Sequence, residues 1–87
     1  MKVKKGFMLR KVGRDQVVVA LGEAAALLNG LIKLNESGAF LWERLAAGAE
    51  REELVSILQQ RYDISAGQAG QDVDTFIATL NGVGCLE

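Results

Sequence analysis

The hydrophobic pattern of this chain changes its period once, at Asn35. Before Asn35, apolar residues lie in short β-rich runs, and after it they recur at the 3.6-residue spacing of amphipathic helices. Strands are therefore expected to precede helices, which predicts an α+β fold in the order β-β-β-α-α-α, a three-stranded antiparallel sheet followed by a three-helix bundle. Because the chain has 87 residues, residues 1–87 are expected to form a single domain.

Two strands are predicted at the start of the chain, over residues 7–12 and 16–21. Between them lies Gly13-Arg14-Asp15, a three-residue connection with the glycine that hairpins favour. The two strands are therefore expected to pair as an antiparallel hairpin.

The third strand is predicted to end at Leu31–Leu34, where alternation puts the two even-numbered residues on one face and the two odd-numbered residues on the other. Its beginning has more than one interpretation. Asn29-Gly30 is a strong type I′ turn signal, so either a long third strand bends at the glycine or a small extra hairpin forms there. On propensity alone, Glu23–Leu28 also fits the start of a helical turn.

Three residues suit the N-termini of the three predicted helices. Asn35 is expected to cap the first helix, and the second is expected to open near Glu50, with acidic residues in its first turn. Ser65-Ala66-Gly67-Gln68 has the form of a capping box, in which the Ser and Gln side chains both satisfy backbone donors. The apolar faces expected in the core are Gly38, Leu41, Trp42 and Leu45, then Leu54, Val55, Leu58 and Tyr62, then Ala69, Val73, Phe76, Ile77 and Leu80.

Glycines mark the predicted ends of two helices. Gly48 is expected to end the first helix, and Asn81-Gly82 is expected to stop the third, because both residue types tolerate left-handed backbone. The remaining segment, Val83–Leu86, is expected to tuck back against the domain.

The residue types that the chain lacks exclude several kinds of site. There is no His and only one Cys, which removes the usual ligands of zinc, iron and copper and the imidazole that activates a Ser or Cys nucleophile. Asp72 and Asp74 are two residues apart, so on a helix they point about 200° from each other and cannot work as a pair. We therefore expect no enzyme activity, no metal site and no cofactor.

Two features predict a cytoplasmic protein without a membrane partner. Cys85 has no second cysteine for an internal disulfide and fits a reducing compartment. No apolar run approaches the ~20 residues of a membrane span, and the N-terminus lacks the apolar stretch of a secretion signal.

Charge divides the chain unevenly. Residues 1–14 contain six basic residues and no acidic one, whereas the rest contains four basic and eleven acidic residues. This basic segment is compatible with a solvated strand or with a surface that binds an anionic group.

The predicted order of elements describes a winged helix-turn-helix-like domain, for which DNA binding or transcriptional regulation is an alternative function. The third helix argues against it, because residues 62–87 contain no Lys or Arg and would repel phosphates. No nucleic-acid partner is therefore expected.

In a three-stranded sheet ordered by sequence, the third strand lies at an edge with unpaired backbone groups. An extended peptide is expected to add there as a fourth strand, in a groove against the third helix. Phe76 is expected to be half accessible on this flank, although its helical spacing also suits a plain core residue. A homodimer formed through the same edge is a further possibility.

The segment Leu34-Asn35-Glu36-Ser37-Gly38-Ala39-Phe40-Leu41-Trp42-Glu43-Arg44-Leu45 resembles the strand-to-helix motif of the PqqD family of peptide-modification chaperones. Further matches follow in the family's order and spacing over nearly the whole chain. They are Val17-Val18-Val19, Gly22-Glu23-Ala24-Ala25, Asn29-Gly30-Leu31-Ile32, Glu52-Glu53-Leu54-Val55, Arg61-Tyr62-Asp63-Ile64, Asp72-Val73-Asp74-Thr75-Phe76 and Gly84-Cys85-Leu86.

The resemblance implies a non-catalytic recognition element for ribosomally synthesised and post-translationally modified peptides. Such a domain binds the leader of a precursor peptide at its third strand and presents it to a modifying enzyme, commonly a radical SAM protein. The resemblance does not specify the peptide product. The peptide-binding residues that it implies are Gly30, Leu31, Ile32, Lys33 and Leu34 on the strand, with Asp72, Val73, Phe76 and Thr79 on the helix.

Overall fold

The computed structural model of the chain describes residues 1–22 and 32–87. Within them it confirms the predicted fold, an antiparallel three-stranded sheet followed by three helices. The predictions for Glu23–Leu28 and Asn29-Gly30 lie outside the described residues. The elements are β1 (Phe7–Val12), β2 (Asp15–Ala20), β3 (Ile32–Leu34), α1 (Glu36–Ala46), α2 (Arg51–Arg61) and α3 (Ala66–Gly82).

The β1–β2 hairpin is tighter than predicted. Val12 pairs with Asp15, so only Gly13 and Arg14 form the connection, and the predicted three-residue connection is wrong. Gly13 has φ +63°, which suits the first position of a two-residue type II′ turn. Asp15 therefore belongs to β2, and that strand begins one residue earlier than expected.

One face of the sheet packs on the helices. Leu9 and Val18 are partners across the hairpin, and Val18 also pairs with Ile32 of β3. Val18 is fully buried, and the other two side chains pack against the same core. The helices complete this core with apolar residues that include Leu41, Trp42, Leu45, Leu54, Leu58, Ala69, Val73, Phe76 and Leu80.

The predicted helix starts are confirmed, but one of the capping interactions differs. The Asn35 Oδ1 accepts the Gly38 N–H at 2.8 Å, and the Ser65 Oγ accepts the Gln68 N–H at 3.1 Å. The Gln68 side chain does not return to Ser65, because its Nε2 donates to Asp72 Oδ1 at 2.8 Å. The predicted reciprocal capping box at α3 is therefore wrong, and only its Ser half is present.

The third helix ends where predicted, but the left-handed residue that follows it is a different glycine. The helix continues through Gly82, and Gly84 adopts the left-handed conformation with φ +76°. The Cys85 N–H then donates to the Leu80 carbonyl at 3.1 Å. Gly82 is therefore the last residue of the helix, as predicted, but the left-handed residue lies two positions after it.

The C-terminal segment tucks back as predicted. The Cys85 side chain is fully buried, and its carbonyl accepts the Lys4 N–H at 2.7 Å. Val3 and Leu86 form an isolated antiparallel bridge beside it. The two ends of the chain thereby hold each other against the core.

An ion pair joins α2 to α3. The Arg51 guanidinium donates to both Asp74 oxygens, with Nε–Oδ1 at 2.6 Å and Nη2–Oδ2 at 3.0 Å. Hydrogen bonding from Arg51 lowers the pKa of Asp74 below its usual range.

In residues 1–22 and 32–87, no helix is long and apolar enough to cross a membrane.

The Ser65 cap generates a stability prediction. Ser65→Ala removes the acceptor of the Gln68 N–H and is expected to lower the free energy of unfolding by about 1 kcal/mol. Gln68→Ala is the control, because it leaves the cap intact and is expected to cost less than about 0.5 kcal/mol. Urea denaturation monitored by circular dichroism measures both values. Equal losses in the two variants would contradict the one-sided cap.

Candidate functional site

The β3 strand forms an open edge of the sheet in the described part of the chain. The strand order is β1-β2-β3, so β3 has β2 on one side only. An edge strand presents backbone N–H and C=O groups that another extended chain can bind.

The hairpin fixes which β2 backbone groups point towards β1. Val12 and Asp15 flank a two-residue turn and therefore form a hydrogen-bonded pair. The Leu21 N–H donates to the Gly6 carbonyl at 2.7 Å, which follows the same alternation. Odd-numbered residues of β2 consequently bond to β1, and even-numbered residues point to β3.

The same alternation identifies the free backbone groups of β3. Leu34 pairs with Gln16, and Ile32 pairs with Val18, so these two β3 residues bond to β2. Lys33 lies between them, opposite Val17, in a pair without hydrogen bonds. The Lys33 N–H and C=O therefore point to the open edge.

A groove of about 300 Å³ lies between β3 and α3, and we call it the β3–α3 groove. Asp72, Thr75, Phe76 and Thr79 line its helical side, because their spacing of three and four residues places them on one face of α3. Lys33, Leu34, Asn35, Ser37, Gly38 and Leu41 complete the lining.

The groove has an apolar floor and a polar rim. Phe76 is 7% exposed and Leu41 is 1% exposed, so both form the floor of the groove and neither projects into it. Asp72 accepts a hydrogen bond from the neutral Gln68 amide, and Lys33 Nζ lies 3.3 Å from Asp15 Oδ1. Backbone groups at the edge and an apolar floor together suit an extended peptide.

Family membership follows from the sequence itself. Residues 15–86 match the sequence model of the family described as coenzyme PQQ synthesis protein D (PqqD). The chain belongs to the PqqD family. The resemblance carried by Leu34–Leu45 and the later motifs is thereby confirmed.

Solved structures share the fold of this PqqD-family chain. TbiB1 in complex with the TbiA(beta) leader peptide aligns with a TM-score of 0.80 and 21% identity, over 100% of this chain and 95% of the matched chain. Lasso peptide synthetase B1 complexed with the leader peptide aligns with a TM-score of 0.75 and 17% identity, over 97% and 93% of the two chains. No curated protein matches the chain.

The structure brings five of the nine residues implied by the PqqD resemblance to the β3–α3 groove. Lys33 and Leu34 line it from the strand, and Asp72, Phe76 and Thr79 line it from α3. Their role in peptide binding stays a prediction. Phe76 is less accessible than expected, because it also packs in the core beneath the groove.

The other four residues lie elsewhere or outside the described residues. Val73 is fully buried, so its side chain belongs to the core and offers no surface to a peptide. Ile32 packs towards the same core. Gly30 and Leu31 lie outside the described residues.

Sequence reasoning about a binding site missed five residues of the groove, which are Asn35, Ser37, Gly38, Leu41 and Thr75. Thr75 was detectable, since it continues the helical spacing of Asp72 and Thr79. Gly38 was predicted only as part of the apolar face of α1. Its place beside the groove depends on tertiary structure. A Cβ at this position would lie 3.1 Å from Asn35 Oδ1 and 3.4 Å from Leu34 Cβ.

A second concavity of about 290 Å³ adjoins the groove, and we call it the Tyr62 pocket. It shares Asn35, Ser37 and Asp72 with the β3–α3 groove, so these three residues lie at the border between the two. Its remaining lining residues are Glu36, Leu58, Tyr62 and Ile64.

The basic residues at the start of the chain lie mostly away from both concavities. Lys11 and Arg14 line a third concavity of about 490 Å³ near the hairpin turn, together with Phe40 and Arg61. It borders the β3–α3 groove at Lys33, Leu34 and Asn35. The Arg61 guanidinium lies 4.8 Å from the centre of the Phe40 ring, which is a cation–π distance. Neither the β3–α3 groove nor the Tyr62 pocket is lined by a residue of the basic segment 1–14.

Cys85 lacks the properties of a reactive thiol. Its side chain is fully buried, and burial raises its pKa.

In residues 1–22 and 32–87, no three His, Cys, Asp or Glu side chains group so that they could hold a metal ion.

Burial of Cys85 predicts slow chemical modification. In the folded protein, Cys85 is expected to react with iodoacetamide at least about 100-fold more slowly than glutathione at the same pH, because reaction requires unfolding. Mass spectrometry of timed samples measures the rate. Addition of urea above the unfolding midpoint should abolish the difference, and rapid labelling of the folded chain would contradict the buried placement.

Proposed function

We propose that this domain binds the leader of a ribosomally synthesised precursor peptide as a fourth strand on β3. The bound leader is then presented to a separate modifying enzyme, such as a radical SAM protein. The observation that carries the proposal is the outward N–H and C=O of Lys33 beside the β3–α3 groove. Membership of the PqqD family supports it, and both structural relatives were solved with a leader peptide.

The two parts of the site have different tasks. Hydrogen bonds to Lys33 hold the peptide backbone and are insensitive to its sequence. The lining residues of α3, above all Phe76, receive side chains and distinguish one leader from another. A flexible leader loses conformational entropy on binding, so we expect micromolar affinity, about −8 kcal/mol.

We propose a binding role without catalysis, metal or cofactor. The chain has no His to act as a general base, and its single thiol is buried. The domain acts by raising the concentration of the leader near the enzyme. A free, buried thiol suits a cytoplasmic setting, which we also propose.

The charges of the site disfavour DNA as the ligand. A recognition helix needs cations for phosphates, but α3 contains none, and Asp72 faces the groove. Arg61, the cation nearest in sequence to α3, lies over the Phe40 ring, and Arg51 is engaged by Asp74.

The proposal is tested by selecting peptides that bind the domain and then mapping where they bind. A phage library displaying all short reading frames of the source genome supplies the candidate leaders, and amide chemical-shift titration of labelled protein locates the selected peptides. Shifts concentrated at residues 32–34 and 69–80 are expected. Saturating shifts confined to the basic segment 1–14 would overturn leader binding at β3, and so would the absence of any selected peptide.

Substitution of Lys33 tests the edge directly. Lys33→Pro removes the outward N–H without removing a hydrogen bond to β2, so it is expected to weaken peptide binding about tenfold, the loss of roughly 1.4 kcal/mol. Lys33→Ala is the matched control, because it keeps the N–H and should bind within about twofold. Isothermal titration calorimetry measures the affinities, and circular dichroism verifies the fold.

A second copy of the chain competes for the same edge in our proposal. Analytical ultracentrifugation of the free protein and of Lys33→Pro measures whether two copies associate through this edge. A dimer that dissociates on peptide addition and is weakened in Lys33→Pro would identify the edge as a shared surface. A dimer unaffected by both would exclude strand pairing between copies.

A further inference from the structure

Among the described residues, β3 offers backbone groups to a peptide at one position. It has three residues, and only Lys33 directs backbone groups outwards. One donor and one acceptor provide little affinity and no sequence discrimination. Side-chain anchors add affinity and sequence discrimination to such a contact, and the Tyr62 pocket, which adjoins the β3–α3 groove, offers one.

The Tyr62 pocket adjoins the end of the strand edge. A peptide that continues past Leu34 meets Asn35, Ser37 and Asp72, the three residues common to both concavities. Beyond them the floor is apolar, formed by Leu58, Tyr62 and Ile64. A side chain with a long apolar stem can therefore enter the pocket from the strand edge.

The charged residues of the pocket lining determine which chemical group at the end of that side chain binds there. Its lining contains the carboxylates of Glu36 and Asp72 and no Lys or Arg. The Asp72 carboxylate has the neutral Gln68 amide as its donor, so its charge is not neutralised by that contact. The Tyr62 hydroxyl is buried and has no hydrogen-bond partner among the described residues.

Two positive groups, Lys33 and Arg61, lie near the pocket but outside its lining, and Lys33 is paired with Asp15. The guanidinium of Arg61 lies 6.0 Å from the centre of the Tyr62 ring, but 4.8 Å from that of Phe40, and it is not part of the pocket lining. The positive end of the α1 dipole is offset by Glu36 in the first turn. The lining therefore favours a cation over an anion.

We infer that the leader extends past β3 and inserts a Lys or Arg side chain into the Tyr62 pocket. Its aliphatic stem lies on Leu58 and Ile64, and its cationic tip meets Glu36 and Asp72. This inference rests on the proposed function, because it specifies the substrate class of the same site.

A random peptide library tests the side-chain class. A phage library of random 20-residue peptides is selected on the wild-type chain and on the Glu36→Gln/Asp72→Asn variant. Peptides from the wild-type selection are expected to carry Lys or Arg at a constant distance from the strand-forming segment, and the variant should lose this enrichment. Glu43→Gln, a neutralised carboxylate on α1 outside the pocket lining, is the matched control and should retain it.

A double-mutant cycle then tests contact. For a selected peptide, Asp72→Asn and replacement of the basic residue by norleucine should each weaken binding about fivefold. Together they should weaken it no more than either change alone, because both remove the same contact. Independent, multiplicative effects would overturn the inference, as would selected peptides that lack a basic residue.

The same peptides separate this inference from the proposed function. If Lys33→Pro weakens their binding but the Asp72 cycle shows no coupling, the strand edge is supported and the basic subsite is wrong. If Lys33→Pro leaves binding unchanged relative to Lys33→Ala, the proposed function itself fails.

Discussion

The junction at Asn35 controls the geometry on which the site depends. Asn35 ends the edge strand and caps α1 in one step, because its Oδ1 accepts both the Gly38 N–H and the Ser37 hydroxyl. Gly38 permits the close approach, since a Cβ there would crowd Asn35 and Leu34. The orientation of β3 relative to α1 is thereby fixed. The β3–α3 groove lies between this strand and α3.

Local patterns predicted the elements well where the interactions that form them are also local. Asn35 and Ser65 cap helices through residues three positions away, so the sequence contains the whole interaction. The position of Gly84 was less evident, because Gly82 has an equal claim on propensity and only the bond from Cys85 to Leu80 distinguishes them.

The site was predicted less completely, because its boundary depends on tertiary packing. Val73 and Phe76 lie on one apolar stripe of α3, yet one is core alone and the other also forms groove floor. That difference depends on where β3 crosses the helix, which helical spacing does not encode. The Tyr62 pocket likewise needs three elements to meet, at Asn35, Tyr62 and Asp72.

The outward backbone of Lys33 has a consequence for how such domains diversify. Main-chain groups are present whatever the residue, so in the proposed binding mode the hydrogen bonds to a ligand backbone survive mutation of nearly every side chain around them. New ligand preferences can then arise through substitutions on the exposed face of α3, while the core beneath stays constant.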